Sequence, residues 1–181
     1  MERLRTWGMP LGVVAVLAIS WASGLTEGVT PESIGLWLEA AGPWGVLGFV
    51  ALFVVANLVG VPGVVFVLAA LFAYGPVVGG GVAMLGGVTS AVVNVTVLRW
   101  IGGGPVEGGP AWITRVMGWA ETRPVHATAL LRALTVVAPP ANVALALSPV
   151  RCRDHALGSA LGLTVPVTIY AVGYGCLAAA L

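Results

Sequence analysis

Lysine is absent from this 181-residue chain, and charge of either sign is scarce: eight arginines oppose seven acidic residues, 8 % of the sequence, for a net charge of +1. Without lysine there is no P-loop phosphate ligand and no Schiff-base nucleophile. A near-zero balance lacks the basic face that nucleic acid requires, so no nucleic-acid partner is expected. The two cysteines, Cys152 and Cys176, stand at neither metal-ligand nor disulfide spacing. No Ser-His-Asp set, paired carboxylates or HExxH pattern occurs. The expectation is therefore no enzyme, no metal and no cofactor. What fills the chain instead is apolar: 59 % hydrophobic residues, 26 glycines and 12 prolines, with a mean hydropathy of +1.01. Soluble domains carry about 25 % charged residues, so this composition predicts an all-α integral membrane protein.

The apolar runs divide unevenly. Residues 1–25, with Arg3 and Arg5 ahead of a run from Leu11 to Ile19, read as a retained N-terminal membrane helix rather than a cleaved signal. Residues 26–181 read as a single membrane domain. Thr30-Pro31-Glu32 is a helix start, with Thr30 as N-cap and Ile34, Trp37 and Leu38 on one face of a helix that reads either as amphipathic at the interface or as a solvated connector. Residues 43–74 are apolar but broken at Gly60-Val61-Pro62-Gly63, where proline removes a donor and clashes with the preceding turn. Backbone freed in hydrocarbon must be buried in protein or face water, so this stretch predicts a re-entrant hairpin. Residues 76–101 predict a spanning helix about 39 Å long. Gly75, Gly79, Ala83 and Gly87 line one face of it and offer a close-packing surface, including one for a second copy of the chain. A second amphipathic piece (111–123) and a second broken stretch (124–150, interrupted at Pro139-Pro140) follow. The last span, 155–181, contains a Gly158/Gly162 pair and a kinking Pro166.

The order of parts repeats: residues 26–101 parallel 111–181. Paired interrupted segments in corresponding places predict an inverted repeat. With the N-terminus in the cytoplasm and both broken stretches re-entrant, seven of the eight arginines (Arg3, Arg5, Arg99, Arg115, Arg123, Arg151 and Arg153) fall on the cytoplasmic side.

The eighth, Arg132, lies in an apolar run. A guanidinium at the centre of a membrane helix costs about 2.5–3.5 kcal/mol on insertion scales and is seldom there without a partner or a function. It predicts a contact to an oxyanion, the alternative being a snorkelling or carbonyl-paired arginine that only ties the hairpin down. Asn142 follows the Pro139-Pro140 break and Asn57 precedes the Pro62 break; with Asn94 they are candidates either for this site or for local backbone satisfaction. Arg99, beside Trp100, is expected as an interfacial anchor. His126 and the run Cys152-Arg153-Asp154-His155 suggest a metal or a proton relay, but Cys152 and His155 give two ligands where a metal site needs about four; the run predicts instead a cytoplasmic turn with Asp154 capping the last helix.

Four blocks in this order resemble the DedA superfamily, in its VTT-domain (SNARE-associated Golgi protein) branch. They are LVGVPGVVFVLAALFAYGPVVGG (58–80), the small-residue helix closing in Arg99, LLRALTVVAPPANVALALSPV (130–150) and LGLTVPVTIYAVGYG (161–175). Val64 stands where many such proteins carry an acidic residue. The resemblance implies lipid translocation between leaflets, a bacterial cytoplasmic membrane as location, and functional positions at Arg99, Arg132, Pro139, Asn142 and Gly75. Together with Pro62 and Pro140 at the breaks, these residues form the expected transport site. The expected function is a transporter or scramblase for an anionic lipid or lipid carrier, with membrane lipids as partners. The alternatives are a small-oxyanion carrier and a non-transporting membrane scaffold.

Overall fold

The computed structural model describes residues 30–102 and 118–180. The expected N-terminal helix, the glycine-rich loop after residue 102 and most of the second amphipathic piece lie outside the described residues. Within them every regular element is a helix and no strand occurs.

Helix α1 (Pro31–Ala41) starts where Thr30-Pro31 predicts, with proline in the first turn, where its missing N–H costs nothing. Ile34 and Leu38, one turn apart, are buried, while Leu36 is exposed. After a short 3₁₀ turn, α2 (Gly45–Leu58) is about 21 Å long, too short to cross a bilayer core of about 30 Å. It carries Phe49 and Phe53 on one face. The chain then turns through Gly60, whose φ of 103° suits only glycine.

Helix α3 (Gly63–Gly102) is not one rod. Gly75 has φ 73° and ψ 179° inside it, and Pro76 opens a new segment. Ala70 and Gly79, nine residues apart, would be separated by about 13 Å along a straight helix. Instead, a Cβ on Gly79 would lie 2.7 Å from the Ala70 carbonyl carbon, so the chain reverses at Gly75. The first segment returns alongside α2, where Phe66 stacks on Phe53 (centroids 4.5 Å, 12°) and meets Phe49 edge-on. The second segment, 76–102, is about 40 Å long.

Helices α4 (Pro124–Thr135) and α5 (Pro139–Ala146) flank the second break, and α6 (Cys152–Ala180) closes the fold. Two helices, α3 and α6, are long and apolar enough to cross a membrane. They run antiparallel: Gly175 sits by Pro76, Gly80 by Ala171, Gly87 by Leu163, and Arg99 by Val150. Helix α4 lies along α6 in the same direction, with Gly158 against Val125 and Thr128 and Gly162 against Ala129.

Three expectations are corrected. The Gly79, Ala83 and Gly87 stripe faces inward: Gly79 abuts Ala70, Ala83 is buried, and Gly87 meets Leu163 and Val137. Its close approach serves contacts within this chain, as does the Gly158/Gly162 pair. Asp154 is not a cap. Helix α6 begins at Cys152, and Asp154 sits in its first turn, where a carboxylate complements the positive end of the helix dipole. His155 belongs to no exposed turn, since the same helix carries it inside, where it is 1 % exposed.

Polarity is distributed in reverse of a water-soluble protein. Val77, Leu85, Leu134, Ile169 and Val172 stand on outer faces, more than half exposed, while Asn57, Asn94, Arg132, Asn142, His155 and Ser159 are buried.

Candidate functional site

The two breaks meet. Helix α2 starts near Tyr74, at the Gly75 end of the fold, and its last turn brings Asn57 beside Asn94, well inside the second segment of α3. Helix α4 starts at the opposite end, where Arg99 and Val150 lie, and Val137 at its tip reaches Gly87. Helix α5 then returns to Arg99. At the junction a single carbonyl oxygen, that of Val137, accepts from the Gly63 N–H at 3.2 Å and from Asn57 Nδ2 at 2.7 Å. The freed backbone of one break is therefore satisfied by the other, as burial in an apolar medium demands.

Asn57 is the hub. Its Nδ2 donates to the Val61 and Val137 carbonyls, and its Oδ1 accepts from Asn142 Nδ2 at 2.6 Å and Asn94 Nδ2 at 2.7 Å. Asn94 also reaches Ser90, whose hydroxyl donates to the Phe53 carbonyl. Asn142 is placed by the Pro139-Pro140 start of α5 and accepts from Arg132 Nη2 at 2.7 Å.

Arg132 is 0 % exposed. Its other contacts are long: Nε to Ser159 Oγ at 3.4 Å and Nη1 to the Val136 carbonyl at 3.5 Å. A guanidinium offers five N–H donors, and this one makes one short bond, to a neutral amide. Among the described residues no carboxylate pairs with it. Val136, just beyond α4, holds φ 55°, a costly backbone for a β-branched residue and one that marks a constrained turn. An enclosed cation with spare donors beside a strained turn can hold an oxyanion through two parallel N–H bonds.

The site thus unites Arg132 and Asn142 with Asn57 and Asn94, which the sequence offered equally as local backbone partners. Pro139 and Pro140 form the first turn of α5, and Pro62 ends the first break one residue before Gly63. Gly75 lies away from the junction, at the reversal of α3. Arg99 is also separate, and its donors are taken up inside the fold rather than held out as an interfacial anchor. Its Nε donates to the Ala146 carbonyl and its Nη2 to those of Leu145, Ser148 and Val150, clamping the turn between α5 and α6.

Sequence reading missed Ser159 and placed His155 in a cytoplasmic turn. Their spacing of four places both on one face of α6, opposite Thr128 and Arg132, also four apart, on α4. His155 Nε2 lies 3.0 Å from the Ala91 carbonyl. No protein-family model, curated protein or solved structure matches this chain.

Proposed function

We propose that this chain is an integral membrane transporter or scramblase that moves an anionic lipid or lipid carrier between leaflets, with Arg132 as the headgroup contact. The observation that carries the reading is a fully enclosed guanidinium whose one short hydrogen bond goes to a neutral amide, at the meeting point of two helix breaks. A buried cation without a counter-charge is expensive to maintain, and an anionic ligand supplies what it lacks. The apolar outer faces and the two long helices support placement in lipid. On this reading α2 with the first segment of α3, and α4 with α5, are re-entrant hairpins entering from opposite membrane faces, related as an inverted repeat. The resemblance of the break regions to the DedA superfamily points the same way.

The conformation described here is occluded. Access to Arg132 from either leaflet requires one hairpin to withdraw from the other, releasing the two bonds on the Val137 oxygen. Polar contacts within membranes average about 0.6 kcal/mol each, so this release costs on the order of 1 kcal/mol. The acyl chains stay against the outer faces throughout.

The test is reconstitution of the purified chain into phosphatidylcholine vesicles carrying a fluorescent phosphatidylglycerol, with flipping read by quenching from outside. Wild type is expected to flip the probe, and Arg132→Ala and Arg132→Gln to lose at least tenfold in rate while keeping the wild-type circular dichroism. Full flipping by both variants refutes the role. The full enclosure of Arg132 also favours a small oxyanion as cargo, so labelled sulfate uptake is measured in parallel. Uptake of sulfate without flipping assigns the site to a soluble anion.

A further inference from the structure

Arg132 is not the only buried ionisable side chain. His155 is 1 % exposed, one helical turn from Ser159, the residue that Arg132 Nε reaches at 3.4 Å. Its tautomer follows from its partner. A carbonyl only accepts, so Nε2 carries the hydrogen and donates to the Ala91 oxygen at 3.0 Å. Nδ1 is then a bare lone pair, buried and without any hydrogen-bond partner. Two more buried polar atoms near this end of the polar interior are also unsatisfied, Thr128 Oγ1 and Asn94 Oδ1. Thr128 lies one turn before Arg132 on α4, against Gly158 of α6. Unpaired buried polar atoms are uncommon, and each calls for an explanation in the form of a ligand, a water or a titration.

The charges around the ring are one-sided. From α3 it faces the Ala91 carbonyl and feels Arg99; from α4 it feels Arg132. On its own helix, Cys152 and Arg153 are exposed and Asp154 is half-buried. Among the described residues no carboxylate is bonded to the ring. The two charged groups that act on the ring are both cations.

We propose that His155 binds a proton together with the anion at Arg132, so that one oxyanion and one proton occupy the site as a pair. This rests on the anion-binding reading of Arg132 given above. The oxyanion, of the phosphodiester or sulfate type, accepts from the spare N–H donors of Arg132 and from the Thr128 hydroxyl. Its charge offsets the guanidinium. A proton delivered by hydronium from the bulk solution, which leaves water behind, then adds to Nδ1; Nε2 keeps its hydrogen and its bond to Ala91, and the ring becomes a cation with a second donor. An opposite charge within about 4–6 Å favours the charged form of a titrating group by about ten- to a thousandfold. By linkage the proton tightens anion binding by the same factor.

The experiment observes the ring directly. The full chain, labelled with ¹⁵N-histidine, is placed in nanodiscs of phosphatidylcholine alone, of equal parts phosphatidylcholine and phosphatidylglycerol, and of phosphatidylcholine with added sulfate. His155→Gln identifies the His155 signals against those of exposed His126. At about pH 6, near the unperturbed histidine midpoint, the expected result is a bare-nitrogen Nδ1 signal in phosphatidylcholine that is lost when the anion is present. Loss with phosphatidylglycerol alone identifies a lipid headgroup, and loss with sulfate a free oxyanion. Arg132→Lys, which keeps the charge but not the two-pronged geometry, is expected to weaken the response. An Nδ1 signal that is indifferent to both anions overturns the proposal, even where the flipping assay succeeds. A response to anion without flipping retains proton coupling at binding and removes the lipid-translocation reading.

Discussion

Replacing Asn57 with alanine tests whether the junction of the breaks holds the two halves together. Four bonds are lost, but their partners are not equally stranded. The Val137 oxygen keeps the Gly63 N–H, and Asn94 keeps Ser90. The Val61 carbonyl and Asn142 Nδ2 are left with nothing. A stranded buried group costs about 1–3 kcal/mol, so Asn57→Ala should destabilise by about 2–6 kcal/mol, toward the low end in a membrane, where the unfolded reference also finds partners. Asn94→Ala strands nothing, because Asn57 Oδ1 keeps Asn142 and Ser90 keeps the Phe53 carbonyl. It also removes the unsatisfied Asn94 Oδ1. Its expected cost is about 1 kcal/mol or less. Denaturant unfolding in mild detergent, followed by circular dichroism, measures both. Equal costs for the two asparagines, or a cost below about 0.5 kcal/mol for Asn57→Ala, would refute the hub.

Gly162→Ala drives a Cβ to 2.7 Å from the Ala129 Cα, backbone that cannot swing away, and should cost about 1–3 kcal/mol or more and loosen the contact between Arg132 and Ser159. Gly173→Ala, in the same helix with open space around it, should instead gain up to about 1 kcal/mol from helix propensity; thermal melts compare the pair. Arg99→Gln removes most donors to four carbonyls and should raise amide exchange across residues 145–150 at least tenfold while leaving the exchange of Asn57 unchanged. Gly75→Ala meets no atom, so only its backbone of φ 73° and ψ 179°, which is essentially confined to glycine, opposes the change, and a loss of about 1–3 kcal/mol is expected in the same melts.

The breaks were legible because glycine and proline act locally: Gly60 to Gly63, Gly75-Pro76 and Pro139-Pro140 all interrupt or restart helices where their backbone chemistry requires. Arg132 was legible from its apolar neighbours. What each break touches was not, because Asn57 and Val137 are 80 residues apart and only the packed helices set their register. Arg99 beside Trp100 reads locally as an anchor, and nothing near it in sequence announces carbonyls about fifty residues on. The small-residue stripe states that something approaches closely but not whether the partner is internal. His155 was misplaced because Arg151, Arg153 and Asp154 signal an aqueous end, yet one further turn of helix carries the ring inside.

The inward-facing guanidinium also constrains how the chain is made. Helices α4 and α5 are about 18 Å and 12 Å long, too short to be retained in a bilayer by their own length, and α4 brings a charge with it. The oxygen atoms that receive that charge include Ser159, on a helix synthesised later. A nascent chain halted before residue 152 would offer Arg132 its bond to Asn142, but neither the Ser159 hydroxyl nor the wall that Gly158 and Gly162 present to α4. The pair of short helices should therefore wait at the water boundary during biosynthesis and enter only after the final helix has been threaded.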